Sequence, residues 1–196
     1  MGRPRSFDES TILDKALEVF WSRGFEGTSI QDLVDATGLG RASLYGAFGD
    51  KQQLFEKVIA HYIARADAAM RQGKGDATVG AALTRIVRTW VDSACPRTGP
   101  RGCFLSQSGI SADPATPFAR EVLASTLQRA EKALEALIRS GQTAGEIAAD
   151  RDPRKAARLL VVLQQGLVTS ARAGWGRSQL QAAADEAVAQ LLGRGS

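Results

Sequence analysis

The segment Thr28 to Lys51, TSIQDLVDATGLGRASLYGAFGDK, constrains the fold more than any other part of the chain. It holds two short apolar-faced stretches joined at Gly38, and neither is long enough to be stable alone. Ile30, Leu33 and Val34 line the first; Leu44 and Phe48, one helical turn apart, line the second. Thr28 and Gln31 form the T-x-x-Q pattern of a capping box that opens the first stretch. Gly38 ends it, Leu39 plugs the turn, and Arg41 to Phe48 make the next helix. This is the layout of a helix-turn-helix, in which the second helix enters the DNA major groove. With Leu44 and Phe48 inside, the outer positions are Arg41, Ala42, Ser43, Tyr45 and Gly46.

The rest of the chain is spaced for helices. Ile12, Leu13, Ala16, Leu17, Phe20 and Trp21 mark a first helix from Asp8 to Arg23, stopped by Gly24. Asp50 caps a long fourth helix with Leu54, Phe55, Val58, Ile59, Tyr62 and Ile63 on one side, reaching about Met70. The polar break Gln72-Gly-Lys-Gly-Asp76 precedes a fifth helix capped by Thr78. A Pro- and Gly-rich loop from Cys95 to Gly102 leads to a short helix over Cys103 to Ile110. After a second loop, Asp113 to Pro117, a long helix runs to about Ser140. The next starts at Pro153, and the last spans about Ser178 to Leu192. The expected class is all-α, with about nine helices. Residues 1–55 form a three-helix DNA-binding domain, and residues 56–196 a ligand-binding and dimerisation domain. The fourth helix belongs to both sides, and the break at 72–76 follows it.

Charge argues for nucleic acid only by position. The net charge of +4 divides into −2 over residues 1–60 (7 Lys and Arg, 9 Asp and Glu) and +6 over the remainder. Cations nevertheless stand at the ends of the helix-turn-helix. Arg41 can bond a guanine edge in bidentate fashion or clamp a phosphate. Ser43 and Tyr45 offer hydroxyls, and Ala42 permits close approach to a thymine methyl. Thr28 and Lys51, at the heads of their helices, suit phosphates. Arg3 and Arg5, separated by a stiff proline, form a basic arm for the minor groove.

Other chemistries lack their residues. One histidine, His61, without a Cys or acid cluster at ligand spacing gives no metal site. No nucleophile elbow, P-loop or dinucleotide fingerprint is present, so neither an enzyme nor a cofactor is expected. No apolar run approaches the ~20 residues of a membrane span. The N-terminus lacks a signal-peptide core, and two cysteines suit a reducing compartment, so a cytoplasmic protein is expected.

Several motifs recur together in a known order: Arg23-Gly-Phe25, Thr28-Ser29, Ala36-Thr-Gly-Leu39, Ser43-Leu-Tyr45, Phe48, Asp50-Lys51 and Leu54-Phe55. Over residues 7–60 the chain resembles the DNA-binding domain of the TetR/AcrR family of bacterial transcription regulators. It departs from the family pattern at Gly40, where a capping serine is frequent, and at Gly46, where many members carry a ring. The remainder is similar to the family in length and helix count. The resemblance implies a homodimer on a pseudo-palindromic double-stranded operator, released by a small-molecule effector. It also implies an intersubunit four-helix bundle from the last two helices. Leu163, Gly166, Leu167, Ser170 and Gly174 are expected at that interface from one helix, Ala184 and Val188 from the other.

A pocket for a hydrophobic or amphipathic effector is expected between the fifth, seventh and eighth helices, lined by Trp90, Phe104, Gln107, Phe118, Leu127 and Gln164. Each of these would serve equally as core. Repression is the expected mode, with activation as the alternative. A thiol-sensing version would use Cys103 as the reactive group, favoured by Arg97 and Arg101, with Cys95 eight residues away as resolving thiol. The plainer account of Cys103 is a small buried hydrophobe.

Overall fold

A computed structural model describes residues 7–71, 75–112 and 117–193, and these hold nine helices and no strand. They are α1 (Glu9–Arg23), α2 (Ile30–Thr37), α3 (Arg41–Phe48), α4 (Lys51–Arg71), α5 (Val79–Ala94), α6 (Phe104–Ile110), α7 (Phe118–Thr143), α8 (Pro153–Arg172) and α9 (Arg177–Leu191). Arg3 and Arg5, residues 72–74 of the break at 72–76 and residues 113–116 of the loop at 113–117 lie outside the described residues.

The helix ends follow local chemistry. Asp8 caps α1 through the Thr11 amide, and Gly24 ends it at φ 72°, a left-handed value that glycine adopts without strain. Asp50 and Gln53 exchange side-chain-to-backbone bonds at the head of α4, 2.8 and 3.0 Å long. Thr78 caps α5 and Asp152 caps α8, with Pro153 in the first turn. One cap differs from expectation. The capping box of α2 is Ser29 with Asp32, not Thr28 with Gln31. Thr28 is buried instead, and its hydroxyl donates to the Gly24 carbonyl at 2.6 Å.

Two apolar cores divide the molecule. One gathers α5, α7, α8 and α9 around Leu83, Val87, Val91, Ile138, Leu160, Leu180 and Val188. The other gathers α1 to α4 around Phe20, Leu33, Leu44, Phe48, Leu54 and Val58. The second core does not stop at residue 55. Phe104 and Leu105 of α6 and Ala119 of α7 are buried in it. A chain of aromatic contacts makes the joint: Phe104 meets Phe55, Tyr62 and Trp21 at centroid distances of 6.0, 5.6 and 5.8 Å. The head formed by α1 to α4 is therefore packed directly onto α6. Asp14 of α1 adds a polar tie across the head, bonding His61 at 2.8 Å and pairing with Arg65 of α4.

Candidate nucleic-acid interface

The sequence of α3 separates an inner from an outer side within two turns. Leu44 and Phe48 are 2% and 1% exposed. Arg41, Ala42, Ser43, Tyr45 and Gly46 are all exposed, and Tyr45 shows 42% of its surface to solvent. None of the described hydrogen bonds or ion pairs engages the side chains of Arg41, Ser43 or Tyr45, so their polar ends face water. Gly40 starts α3 without a side-chain cap. The first-turn amides of α3 thus remain open, with the positive end of the helix dipole behind them. At its other end Lys57 donates to the Ala47 carbonyl at 3.2 Å, which satisfies the negative end. Gly38, at φ 75°, turns the chain between α2 and α3, and Thr37 and Leu39 lock that turn through the Thr37 hydroxyl.

The head of α2 is a different environment. The Asp32 carboxylate accepts from the Ser29 amide and hydroxyl at 2.9 and 2.8 Å and pairs with Arg23. The Ser29 bonds, helped by the Arg23 charge, hold its carboxyl below the usual aspartate range. An internal carboxylate already occupies the site where a phosphate would sit. With its hydroxyl turned inward to Gly24, Thr28 supports this turn from below.

Lys51 is also turned inward. Its ammonium donates to the Phe25 and Thr28 carbonyls at 3.0 and 3.1 Å and lies 4.3 Å from the centre of the Phe25 ring. Two of its three donors are used in fastening the α1–α2 turn to α4, which leaves one for an outside partner. No local pattern marks this role, because the partners of Lys51 are 23 and 26 residues away.

The six residues expected around an effector are not brought together. Trp90 and Leu127 pack against the core of α5, α7, α8 and α9, while Phe104 is buried in the head's core. Gln164 is half-buried on α8. Gln107 and Phe118 do share a cavity, but it lies between the head and α6–α7. Most of the interior expected to be hollow, between α5, α7 and α8, is filled by Leu83, Val87, Val91, Leu134, Ile138, Leu160 and Val161.

The interface residues also divide. Leu167, Ala184 and Val188 are buried within their own chain, and Leu163 packs against that core. Gly166 and Gly174 are exposed, and Ser170 is half-buried. The large apolar side chains that do face outward on α8 are Leu159 and Val162, 68% and 62% exposed. With Gly166 they follow i, i+3, i+7 spacing and form one strip.

The thiol environments differ from expectation too. Arg101 donates to Cys95 Sγ at 3.0 Å and not to Cys103, and it also bonds the Trp175 carbonyl. Arg97 is exposed. Cys103 accepts from the Tyr62 hydroxyl at 3.4 Å. Burial, then the neighbouring Cys103, pushes the Tyr62 hydroxyl well above the usual phenol range. Among the described residues no three His, Cys, Asp or Glu side chains are grouped to hold a metal, and no helix is long and apolar enough to cross a membrane.

Known proteins share both parts of this arrangement. Residues 12–58 match the family described as bacterial regulatory proteins, tetR family. Residues 80–188 match the tetracyclin repressor-like C-terminal domain. The HTH-type transcriptional repressor ComR of Escherichia coli is 33% identical over 176 residues, covering 88% of this chain and 83% of its own. The repressor BdcR of the same organism is 27% identical over 198 residues, covering 97% and 94%. The TetR family regulator CifR, solved as a cysteine mutant with 26 base pairs of operator DNA, superposes with a TM-score of 0.86 at 30% identity. That alignment covers 95% of this chain and 98% of CifR.

Proposed function

The chain belongs to the TetR family of bacterial transcriptional regulators, and on that premise we propose that it is a repressor that binds operator DNA as a homodimer through α3. It is a DNA-binding regulator and not an enzyme, as its family and relatives are. The observation that carries the finer reading is the outer side of α3. Among the described residues the side chains of Arg41, Ser43 and Tyr45 have no internal partner; they stand next to an uncapped helix start, while Leu44 and Phe48 anchor the helix. A free guanidinium at a helix head can grip guanine O6 and N7 or a phosphate. Tyr45 and Ser43 supply hydroxyls for phosphates, and Ala42 and Gly46 let the backbone approach the groove. Lys51 and Thr28 act here mainly by holding the turn that aims α2 and α3. Arg3 and Arg5 remain candidates for a minor-groove arm.

Two such heads would meet successive major grooves ~34–36 Å apart on a pseudo-palindromic site. A small amphipathic effector that prefers a different head position would lower operator affinity. A gel shift on the DNA flanking the gene tests the proposal. The parent should shift a discrete fragment. Arg41→Ala should relax the preference at one base pair, costing ~1–3 kcal/mol. Tyr45→Ala should weaken binding to every variant of the site alike and leave its salt dependence unchanged, because a neutral hydroxyl releases no counterion. A reporter fused to the same promoter separates repression from activation.

A thiol-responsive version of this regulator has its own support. CifR was also solved on operator DNA with three cysteines replaced, two of them eight positions apart, which is the spacing of Cys95 and Cys103. Here an arginine charge faces Cys95, and the Gly102 amide closes the loop between the two by donating to the Ala94 carbonyl at 2.9 Å. One alkyl hydroperoxide would oxidise both thiols to a disulfide, releasing water and the alcohol. If Cys103→Ser loses operator affinity on peroxide treatment as the parent does, Cys103 has no sensing role.

A further inference from the structure

We propose that the cleft between the reading head and α6–α7 binds a small aromatic acid, and that its occupancy loosens the head. This rests on the regulator reading above and gives it an effector site outside the interior of the α5–α9 bundle. The cleft encloses about 370 Å³, within the range of small-molecule sites. Its lining is divided between the two bodies. The turn after α1 supplies Phe25, and α4 supplies Phe55; their rings are 4.9 Å apart and make an aromatic wall. The opposite wall is Gln107 and Ser111 at α6, Phe118 at the start of α7, and Arg172 from the end of α8.

Charge orients the occupant. The described partner of the Arg172 guanidinium is the neutral Gln107 amide oxygen, and none of the described ion pairs gives it a carboxylate. Glu26 and Glu56 line the head side, where Arg23 is already paired with Asp32. An acidic group therefore belongs at Arg172, away from those two carboxylates, with the aromatic body against Phe25, Phe55 and Phe118. A guanidinium whose described partner is a neutral amide suits a carboxylate or a sulfonate, either of which accepts paired charge-assisted bonds, better than it suits an alcohol.

The same walls are the joints of the head. Gln107 donates to the Trp21 carbonyl at 3.3 Å, bridging α6 to α1. Phe25, on the other wall, carries the carbonyl that Lys51 grips, four residues before the Ser29 cap of α2. A ligand that draws Arg172 off Gln107 and presses on Phe25 would act on both fastenings at once. It would favour a head position other than the one that meets DNA.

The test uses the full-length protein and 8-anilinonaphthalene-1-sulfonate, an aromatic sulfonate whose fluorescence rises on binding. The parent should bind it saturably at one site per chain. Arg172→Gln should weaken binding about tenfold, as loss of a charge-assisted bond does. Ser111→Trp, which fills the cleft from an exposed helix end, should abolish it. Arg129→Gln, the same charge change on the outer side of α7, should leave it unaltered. At saturating probe the parent's operator Kd should rise about tenfold, within the usual range of coupling, and that of Ser111→Trp should not move. Absence of saturable binding by the parent overturns the site, as does parental binding by Arg172→Gln and Ser111→Trp together. An operator Kd indifferent to bound probe overturns the coupling. Should the probe results hold while the parent fails to shift its flanking DNA, the regulator reading falls and the cleft stands.

Discussion

Residues that look equivalent in the sequence have opposite duties around α3. Arg41 and Lys51 are both cations at helix heads, yet Arg41 is exposed with no partner among the described residues, while Lys51 is spent on two carbonyls and a ring. Lys51→Met should therefore cost stability, about 1–2 kcal/mol for two charged hydrogen bonds lost at a half-buried site. Thermal unfolding by circular dichroism would show a fall of several degrees. Arg41→Ala should melt as the parent does and fail only on DNA. If Lys51→Met melts normally but binds operator poorly, its main duty is to a phosphate. Asp32 makes a related prediction about pH. The Ser29 bonds and Arg23 hold its carboxyl below the ordinary aspartate value, so its contribution is complete above the unfolded value and lost as pH falls through the folded one. Asp32→Asn should accordingly unfold with a shallower dependence on pH below 3.8 than the parent, measured by acid titration of the circular dichroism signal.

At the scale of elements, α3 is a short helix with a weak point. Gly46 sits in its second turn, exposed, and a Cβ added there would meet nothing within 4 Å. Gly46→Ala should therefore stabilise the protein by about 0.5–1 kcal/mol, since glycine loses more backbone freedom on folding. Gly38→Ala should do the reverse, because its φ of 75° strains any residue with a Cβ. Opposite shifts in melting temperature would check both; a destabilised Gly46→Ala would mean that α3 is held by more than its own backbone. The elements themselves were largely legible in the sequence, and the reason is that their ends are local. Gly24, Gly38, Asp50, Thr78 and Pro153 act on their own chain neighbours, and apolar spacing needs only a few turns. What the sequence hid depends on distant partners. Thr28 and Ser29 compete for one capping role, and the nearby Gly24 carbonyl decides it. Phe104 reads as pocket lining until α6 is seen to lie against α4, where Phe55 and Tyr62 claim it. Arg101 stands two residues from Cys103 but reaches back to Cys95.

For the whole molecule the unresolved demand is a surface that pairs two heads. Helices α8 and α9 bury Leu160, Leu167, Ala184 and Val188 inside the chain, so these cannot also meet a second copy. What α8 leaves outside is Leu159, Val162 and Gly166, two large apolar side chains and a glycine with open space above it. Such a strip is costly to expose and lets another helix approach closely. On the homodimer reading it is the centre of the intersubunit contact. Leu159→Glu tests it cleanly. The side chain is 68% exposed, so the substitution should scarcely alter the fold of one chain, and the melting curve of the dilute protein should show this. In a dimer the same change places two like charges near a symmetry axis and removes apolar contact from both copies at once. Sedimentation should then show a monomer where the parent is a dimer. Operator affinity should fall with it, because a single head meets one half-site and loses the effective concentration that pairing supplies. The two losses should track one another as protein concentration is raised. A Leu159→Glu protein that sediments as the parent does and holds full operator affinity would move the interface off this face of α8.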